Sequence, residues 1–456
     1  MKSSPGQLTL LLSSSDAVEQ LDVASGKKDK RINQLEPHDR PFHDWYRFVL
    51  SFPPHLVRKY LDDFGLKSNH VVLDPFCGTG TTLVESKLNG IRAIGLEANP
   101  FAHFASSVKV DWEIDPDLLK RRAHDIAYSV AESLCSQGID DNQPFEASNN
   151  GAVLRTLGQE AERLLITDSI SPVPLHKALV LLEHLRDHQS ERYYRHALLA
   201  LANALVFKIS NLNFGPEVGV DRQKKDIPVV ACWLSEISKI AEDLRRISGK
   251  RHPGCEVHLS DAREISSVIP HRSIDAVITS PPYPNEKDYS RTTRLESVLL
   301  GFIKNKADLR KLKKQLVRSN TRGVYKEDDD HKWISDHPKI QHIAELIEKR
   351  RIELGKTSGF ERLYPRVTKL YFGGMARHLA ELRDVLRPNA KLAYVVGDQA
   401  SYLRVLIPTG KLLAEIAGDL GYELIRTDLF RTRFATATKE QLHEEVVVLR
   451  WSGKKK

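Results

Sequence analysis

The sequence predicts an α/β fold: a doubly wound, mostly parallel sheet interrupted by a large helical insertion and a second, charged insertion. Three observations lead there. Six short apolar runs, "HVVLD" (70–74), "RAIGLE" (92–97), "EVHLSD" (256–261), "IDAVITS" (274–280), "AKLAYVVGD" (390–398) and "EEVVVLRW" (444–451), have the length and β-branched content of buried strands. The first two flank a glycine turn and the helical stretch "TTLVESKLNG", which makes one βαβ unit with a right-handed crossover. Between the second and third runs, residues 113–250 repeat apolar positions at three- and four-residue steps, the period of helices.

Residues 1–40, rich in Ser, Lys and Asp without sustained periodicity, read as a mobile arm. From Phe42 the text becomes aromatic and apolar, and Pro53-Pro54 turns it into a short amphipathic helix that Gly65 closes. Residues 41–112 are thus the first part of the sheet domain, and 113–250 a helical insertion. That insertion carries "DLLKRRAHDIAYSVAESLC", "GAVLRTLGQEAERLL", one long segment from Lys177 to Ser210, and "VACWLSEISKIAEDLRRI". An Asn-, Gly- and Lys-rich break, "NLNFGPEVGVDRQKKDIP", separates the last two. Residues 251–300 return to the sheet. Residues 301–366 form a basic helical insertion with 17 Lys or Arg against ten Asp or Glu, the natural place for target recognition, and 367–456 complete the sheet. The helix "GGMARHLAELRDVLRPNA" is expected to exit through Arg387-Pro388-Asn389.

Composition narrows the class. The 456 residues are 41% hydrophobic and 28% charged, an ordinary globular balance. No apolar run approaches the roughly 20 residues of a membrane span, and "LTLLL" near the N-terminus is too short for a secretory signal, so a cytoplasmic protein is expected. The four cysteines are scattered, giving neither a disulfide framework nor a zinc pattern. A formal charge of +8 is compatible with a polyanionic partner, and seven Lys or Arg against one Asp between Gly301 and Arg318 show where the excess sits.

Two motifs carry chemistry. "DPFCGTGTT" (74–82) follows a strand and opens a helix, where glycines admit a ligand close to the backbone. No Lys follows the second glycine, so it is not a phosphate-gripping loop, which speaks against a nucleotide hydrolase. Asp74, Glu97 and Asp261 end three neighbouring strands, and acids there would line one crevice. Such a crevice suits a cationic ribonucleoside, and S-adenosylmethionine fits that description. The second motif is "TSPPY" (279–283). The Ser280 hydroxyl and the Pro281 carbonyl offer acceptors to an exocyclic amino group, whose delocalised lone pair must be freed before it can attack. The double proline Pro281-Pro282 fixes their direction, and Tyr283 offers a flat face for an extruded base. That chemistry calls for no metal.

Together these motifs resemble the cofactor and catalytic motifs of amino-directed DNA methyltransferases, over about 42–112 and 255–300. The resemblance implies the sheet of S-adenosylmethionine-dependent methyltransferases. It places the cofactor loop on Asp74, Pro75, Phe76, Gly78, Gly80 and Thr81, the ribose-binding acid on Glu97 and the adenine neighbour on Asp261. Phe52 and Pro53 resemble a further cofactor-contacting motif. Ser280 resembles the N4-cytosine branch, since adenine-directed members usually carry Asp or Asn there. Many N4-cytosine enzymes place this turn before the glycine turn. The order found here also occurs in amino methyltransferases that act on guanine N2 in RNA. Adenine N6 and tRNA guanine N2 therefore stay open as targets, as does a non-catalytic recognition subunit. The implied partners are duplex DNA with a flipped base and a restriction endonuclease or other defence protein. Lys287, Arg291 and Arg294 would hold phosphates near the active-site mouth, and Arg222, Lys224 and Lys225 form a second basic cluster. Tyr364 to Arg366 are placed at the border of the base pocket.

Overall fold

Strands β1 (Val71–Asp74), β2 (Arg92–Glu97), β5 (Cys255–Leu259), β6 (Ile274–Thr279), β7 (Leu386–Gly397), β8 (Tyr422–Phe434) and β9 (Gln441–Trp451) form one sheet. Its order is β5-β2-β1-β6-β7-β9-β8. The computed structural model describes residues 35–48, 51–143, 153–215, 217–285, 287–434 and 441–454. Residues 1–34 of the expected mobile arm lie outside these. The described end of that arm is docked, with Asp39 buried and paired to Arg58 at 2.7 Å.

Pairings among β5, β2, β1, β6 and β7 are parallel, and β9 runs antiparallel between β7 and β8. The sheet is therefore the expected doubly wound, mostly parallel one. Strand order reverses between β1 and β6, and in open α/β sheets that switch point opens a crevice at the carboxyl ends of the strands.

Period-two alternation fills both faces. Val72, Ala93, Ile278, Val395 and Val446 pack on one side, in a core shared with the helices Pro116–Cys135, Pro172–Arg186, Tyr194–Ala204 and Val229–Ile247. Leu73, Ile94, Val277, Leu392 and Val447 pack on the other, against Pro338–Glu353, Tyr364–Val385 and Thr409–Asp419. Pro54–Asp63 and Gly65, at φ +66°, form the expected amphipathic helix and its stop.

Several elements differ from expectation. The long segment from Lys177 is two α-helices with a turn between them, and the second widens into a π-helix, Leu205–Ile209. Among the described residues of 151–165 the helix is Gln159–Glu162. The polar break holds a hairpin, β3 (Leu212–Phe214) and β4 (Val218–Val220). Arg387-Pro388-Asn389 belong to the start of β7 rather than to a helix exit. Asn389 turns there at φ +68°, beside a register shift against β6. Strand β8 was not anticipated. It is an edge strand whose charged residues and exposed Leu424, Ile425 and Leu429 blur the alternation. Among the described residues no helix is long and apolar enough to cross a membrane.

Candidate functional site

The site is assembled where β1 and β6 end side by side. Asp74 Oδ1 accepts from the Thr279 hydroxyl at 2.6 Å and from the Phe76 N–H at 3.1 Å, tying the two strand ends together. Its second oxygen is buried without a partner, and burial pushes its pKa up to about 6.

Beyond Asp74 the chain turns through Gly78 (φ +52°) and Gly80 (φ +84°), both in the left-handed region that glycine occupies freely. A Cβ at Gly80 would stand 3.1 Å from the Ser106 side chain, so the turn packs directly on the helix Pro100–Lys109. Helix Thr81–Leu88 starts at once, and the Thr82 hydroxyl donates to the Ile278 carbonyl at 3.1 Å.

Glu97, the last residue of β2, is held by backbone donors. The Gly78 N–H reaches Oε2 and the Asn99 N–H reaches Oε1, both at 2.8 Å. Burial still outweighs these bonds and lifts its pKa to about 7. Asn99 caps the next helix by accepting from Phe101 and Ala102.

The Ser-Pro-Pro-Tyr turn leaves the end of β6. The Ser280 hydroxyl donates to the Val395 carbonyl of β7 at 3.3 Å, and Pro281 is buried. Tyr283 lies over Gly397 at the end of β7. A Cβ there would be 3.1 Å from the tyrosine ring and 3.0 Å from Glu444 Cγ.

Both motifs open into one cavity of about 270 Å³. Phe52, Pro53, Pro75, Phe76, Gly78, Thr81, Glu97 and Asp261 line it together with Ser280, Pro281, Pro282 and Tyr283. Asp74 and Gly80 are not in its lining; they brace the strand ends and the turn behind it. These residues fit a cationic nucleoside. Glu97 presents an anchored carboxylate, the Thr79 hydroxyl is buried in the lining without a partner, and Phe52, Phe76 and Leu96 supply apolar faces. Asp261 is gripped by Arg263, whose Nε and Nη2 donate to it at 3.0 and 2.6 Å.

The expected basic residues are placed unevenly. Lys287 lines the cavity. Arg291 is half-buried outside the lining, its Nε without a partner. Arg294 donates to the carbonyls of Ser290 and Leu164, at 3.0 and 3.3 Å. Lys224 donates to those of Lys208 and Ser210, at 2.8 and 2.7 Å, so both charges are engaged inside the fold. Arg222 and Lys225 are exposed. Tyr364 stacks on Tyr402 at 4.7 Å and Arg366 donates to the Tyr325 carbonyl at 2.8 Å; neither lines the cavity.

Sequence reasoning missed a whole wall: Lys313 and the run from Gln315 to Asn320, with Phe430, Arg431 and Glu444 from β8 and β9. The basic run Gly301–Arg318 was the available signal. Its members are largely paired, Lys313 with Asp288 at 2.9 Å and Arg318 with Asp328 at 2.8 Å.

Comparison with known proteins agrees with this geometry. A family model described as DNA methylase matches residues 18–106. The chain is 26% identical over 453 residues to the type II methyltransferase M.BsoBI of Geobacillus stearothermophilus, covering 93% of this chain and 87% of that one. It is 23% identical over 411 residues to M.AvaI of Nostoc sp., covering 84% and 80%. A tRNA (guanine(10)-N2)-dimethyltransferase of Methanothermobacter thermautotrophicus is 40% identical over 68 residues, 15% of this chain and 19% of that one. Among solved structures, TrmN from Thermus thermophilus aligns at a TM-score of 0.32 with 10% identity over 91% of this chain and 53% of that one; the fold assignment rests on the strand order itself. With a DNA methylase match at the glycine-turn end and type II methyltransferases alike along nearly the whole length, the chain is similar to amino-directed DNA methyltransferases, a likeness that implies S-adenosylmethionine as methyl donor.

Proposed function

We propose that the protein methylates the exocyclic amino group of a flipped base in duplex DNA, with cytosine N4 as the target. The observation that carries this reading is the shared cavity: the glycine turn with Glu97 and the Ser-Pro-Pro-Tyr turn face the same space. S-adenosylmethionine, when bound, supplies an electrophilic methyl on a sulfonium. Every other part of the reaction falls to the chain.

Glu97 is positioned to grip ribose hydroxyls, and Asp261 the adenine edge. Ser280 spends its one proton on the Val395 carbonyl, so its oxygen faces an incoming amino group as an acceptor. With the Pro281 carbonyl it would draw on the amino protons and localise the nitrogen lone pair. Proline rigidity keeps both acceptors in place before the base arrives. The Tyr283 ring, backed by Gly397, gives the extruded base a stacking face. Lys287, Arg291, Arg222 and Lys225 are the candidate phosphate contacts. The type II relatives support a role in restriction–modification, with an endonuclease of matching specificity as partner.

The short match to a tRNA guanine-N2 enzyme keeps RNA as the second reading. The test incubates the full chain with methyl-labelled S-adenosylmethionine and either duplex DNA or total tRNA, then identifies the methylated nucleoside by mass spectrometry. N4-methylcytosine from DNA is expected. N6-methyladenine would overturn the base assignment alone, and methylguanosine from tRNA alone would overturn the DNA assignment.

A further inference from the structure

We propose that Arg263 is a positioning residue that couples the cofactor pocket to the basic insertion, so that Asp330, outside the pocket, sets cofactor affinity through it. The inference rests on the cofactor reading of Asp261 given above.

Arg263 does not line the cavity and is 6% exposed. Its planar fork is engaged in two directions. Toward the pocket it donates to Asp261 through its backbone N–H (2.9 Å), Nε (3.0 and 3.1 Å) and Nη2 (2.6 Å). Toward the insertion, Nη1 donates to Asp330 at 2.5 Å and Nη2 to the Lys314 carbonyl at 3.0 Å. Asp261 is a lining residue, and Lys314 sits between the lining residues Lys313 and Gln315. One guanidinium therefore holds an acid of the cofactor side and a backbone group of the adjoining wall.

The insertion cannot drift to relax this arrangement. Gly373 and Gly374, in helix Tyr364–Val385, lie directly against Asp330. A Cβ at Gly373 would fall 2.0 Å from the Asp330 carbonyl oxygen, and one at Gly374 3.4 Å from its carboxylate. A second arginine fixes the same wall: Arg318 donates to the Lys313, Lys314 and Leu316 carbonyls and pairs with Asp328.

Two carboxylates share one guanidinium. Asp330 draws part of the fork's donor strength, which leaves Asp261 oxygens able to accept from a ligand while remaining oriented. Neutralising Asp330 shifts the fork toward Asp261 and weakens its grip on the cofactor. By reciprocity, a nucleic acid that settles the wall would tighten cofactor binding by the same factor by which cofactor tightens nucleic-acid binding.

The test is calorimetric titration of the full chain with S-adenosylhomocysteine, without nucleic acid. Asp330→Asn is expected to weaken binding by about 3- to 30-fold, and Arg263→Lys, which keeps the charge but loses the fork, by at least as much. The double variant should match the weaker single rather than multiply the two losses. Arg387→Lys, whose partner Asp275 lies at the opposite end of the sheet (2.7 Å), should leave the affinity unchanged even if it lowers the melting temperature. Wild-type affinity in a folded Asp330→Asn would overturn the proposal, as would multiplicative losses. Should Asp330→Asn fail to fold, Arg263→Lys decides in the same way. Absence of binding by the wild type would instead overturn the cofactor reading beneath it.

Discussion

The two sides of the cavity are built by different physics. On the glycine-turn side the shape is backbone: left-handed glycines at 78 and 80, a strand end at Asp74, and N–H groups clamping Glu97. On the side of residues 313–320 it is side-chain charge: Arg263 and Arg318, both nearly buried, hold the wall by its carbonyls and by Asp330 and Asp328. A site shaped by backbone depends little on side-chain identity, whereas a charge-held wall can be re-cut by a few substitutions.

The contrast can be broken at defined points. Glu97→Ala removes the backbone-held acid, and S-adenosylmethionine affinity measured by calorimetry should fall by about 10- to 100-fold, the worth of hydrogen bonds to a charged group. Unchanged affinity would move the ribose contact elsewhere. Next, Gly80→Ala forces a side chain into φ +84° against Ser106 and should cost about 1–3 kcal/mol, read as a lower melting temperature. A wild-type melt would show that the turn relaxes without strain.

A smaller effect is pH-dependent. The pKa of Glu97 is about 7 in the fold, against an ordinary value of 4.5, because burial disfavours its charge. Its raised pKa therefore favours the folded state fully below about 4.5, and that contribution is lost as pH rises through 7. Cofactor binding, which uses the ionised acid, should run the other way, weakening by up to about tenfold per pH unit below 7. Glu97→Gln should flatten that profile, and an unaltered profile would assign the titration to another group.

The same division explains what could be read from the sequence. The glycine turn, Glu97 and the Ser-Pro-Pro-Tyr turn are short and local, and glycine and proline restrict the backbone in ways their neighbours cannot override. Their convergence on one cavity, the candidate site, was legible for that reason. Arg263 and Asp330 are 67 residues apart, and nothing in a run of charges tells which arginine is buried or which acid it meets. The basic stretch after Gly301 shows where the positive excess sits but not which residue is buried, and Arg318 is 4% exposed. In the fold, β8 was hidden because an edge strand with exposed Leu424 and Leu429 carries no clean period of two. Asn389, a non-glycine residue at φ +68°, let a strand begin where a helix exit was expected.

The central claim is that one cavity holds the methyl donor at the glycine turn and Glu97 and presents the amino group at Ser280, at the end of the adjoining strand β6. The most direct test measures Ser280→Ala twice in one preparation: cofactor affinity by calorimetry and single-turnover methyl transfer to duplex DNA. The account predicts wild-type affinity with transfer slowed by about 10²- to 10³-fold, the worth of one positioned polar group at a reacting centre. Transfer at the wild-type rate would contradict it.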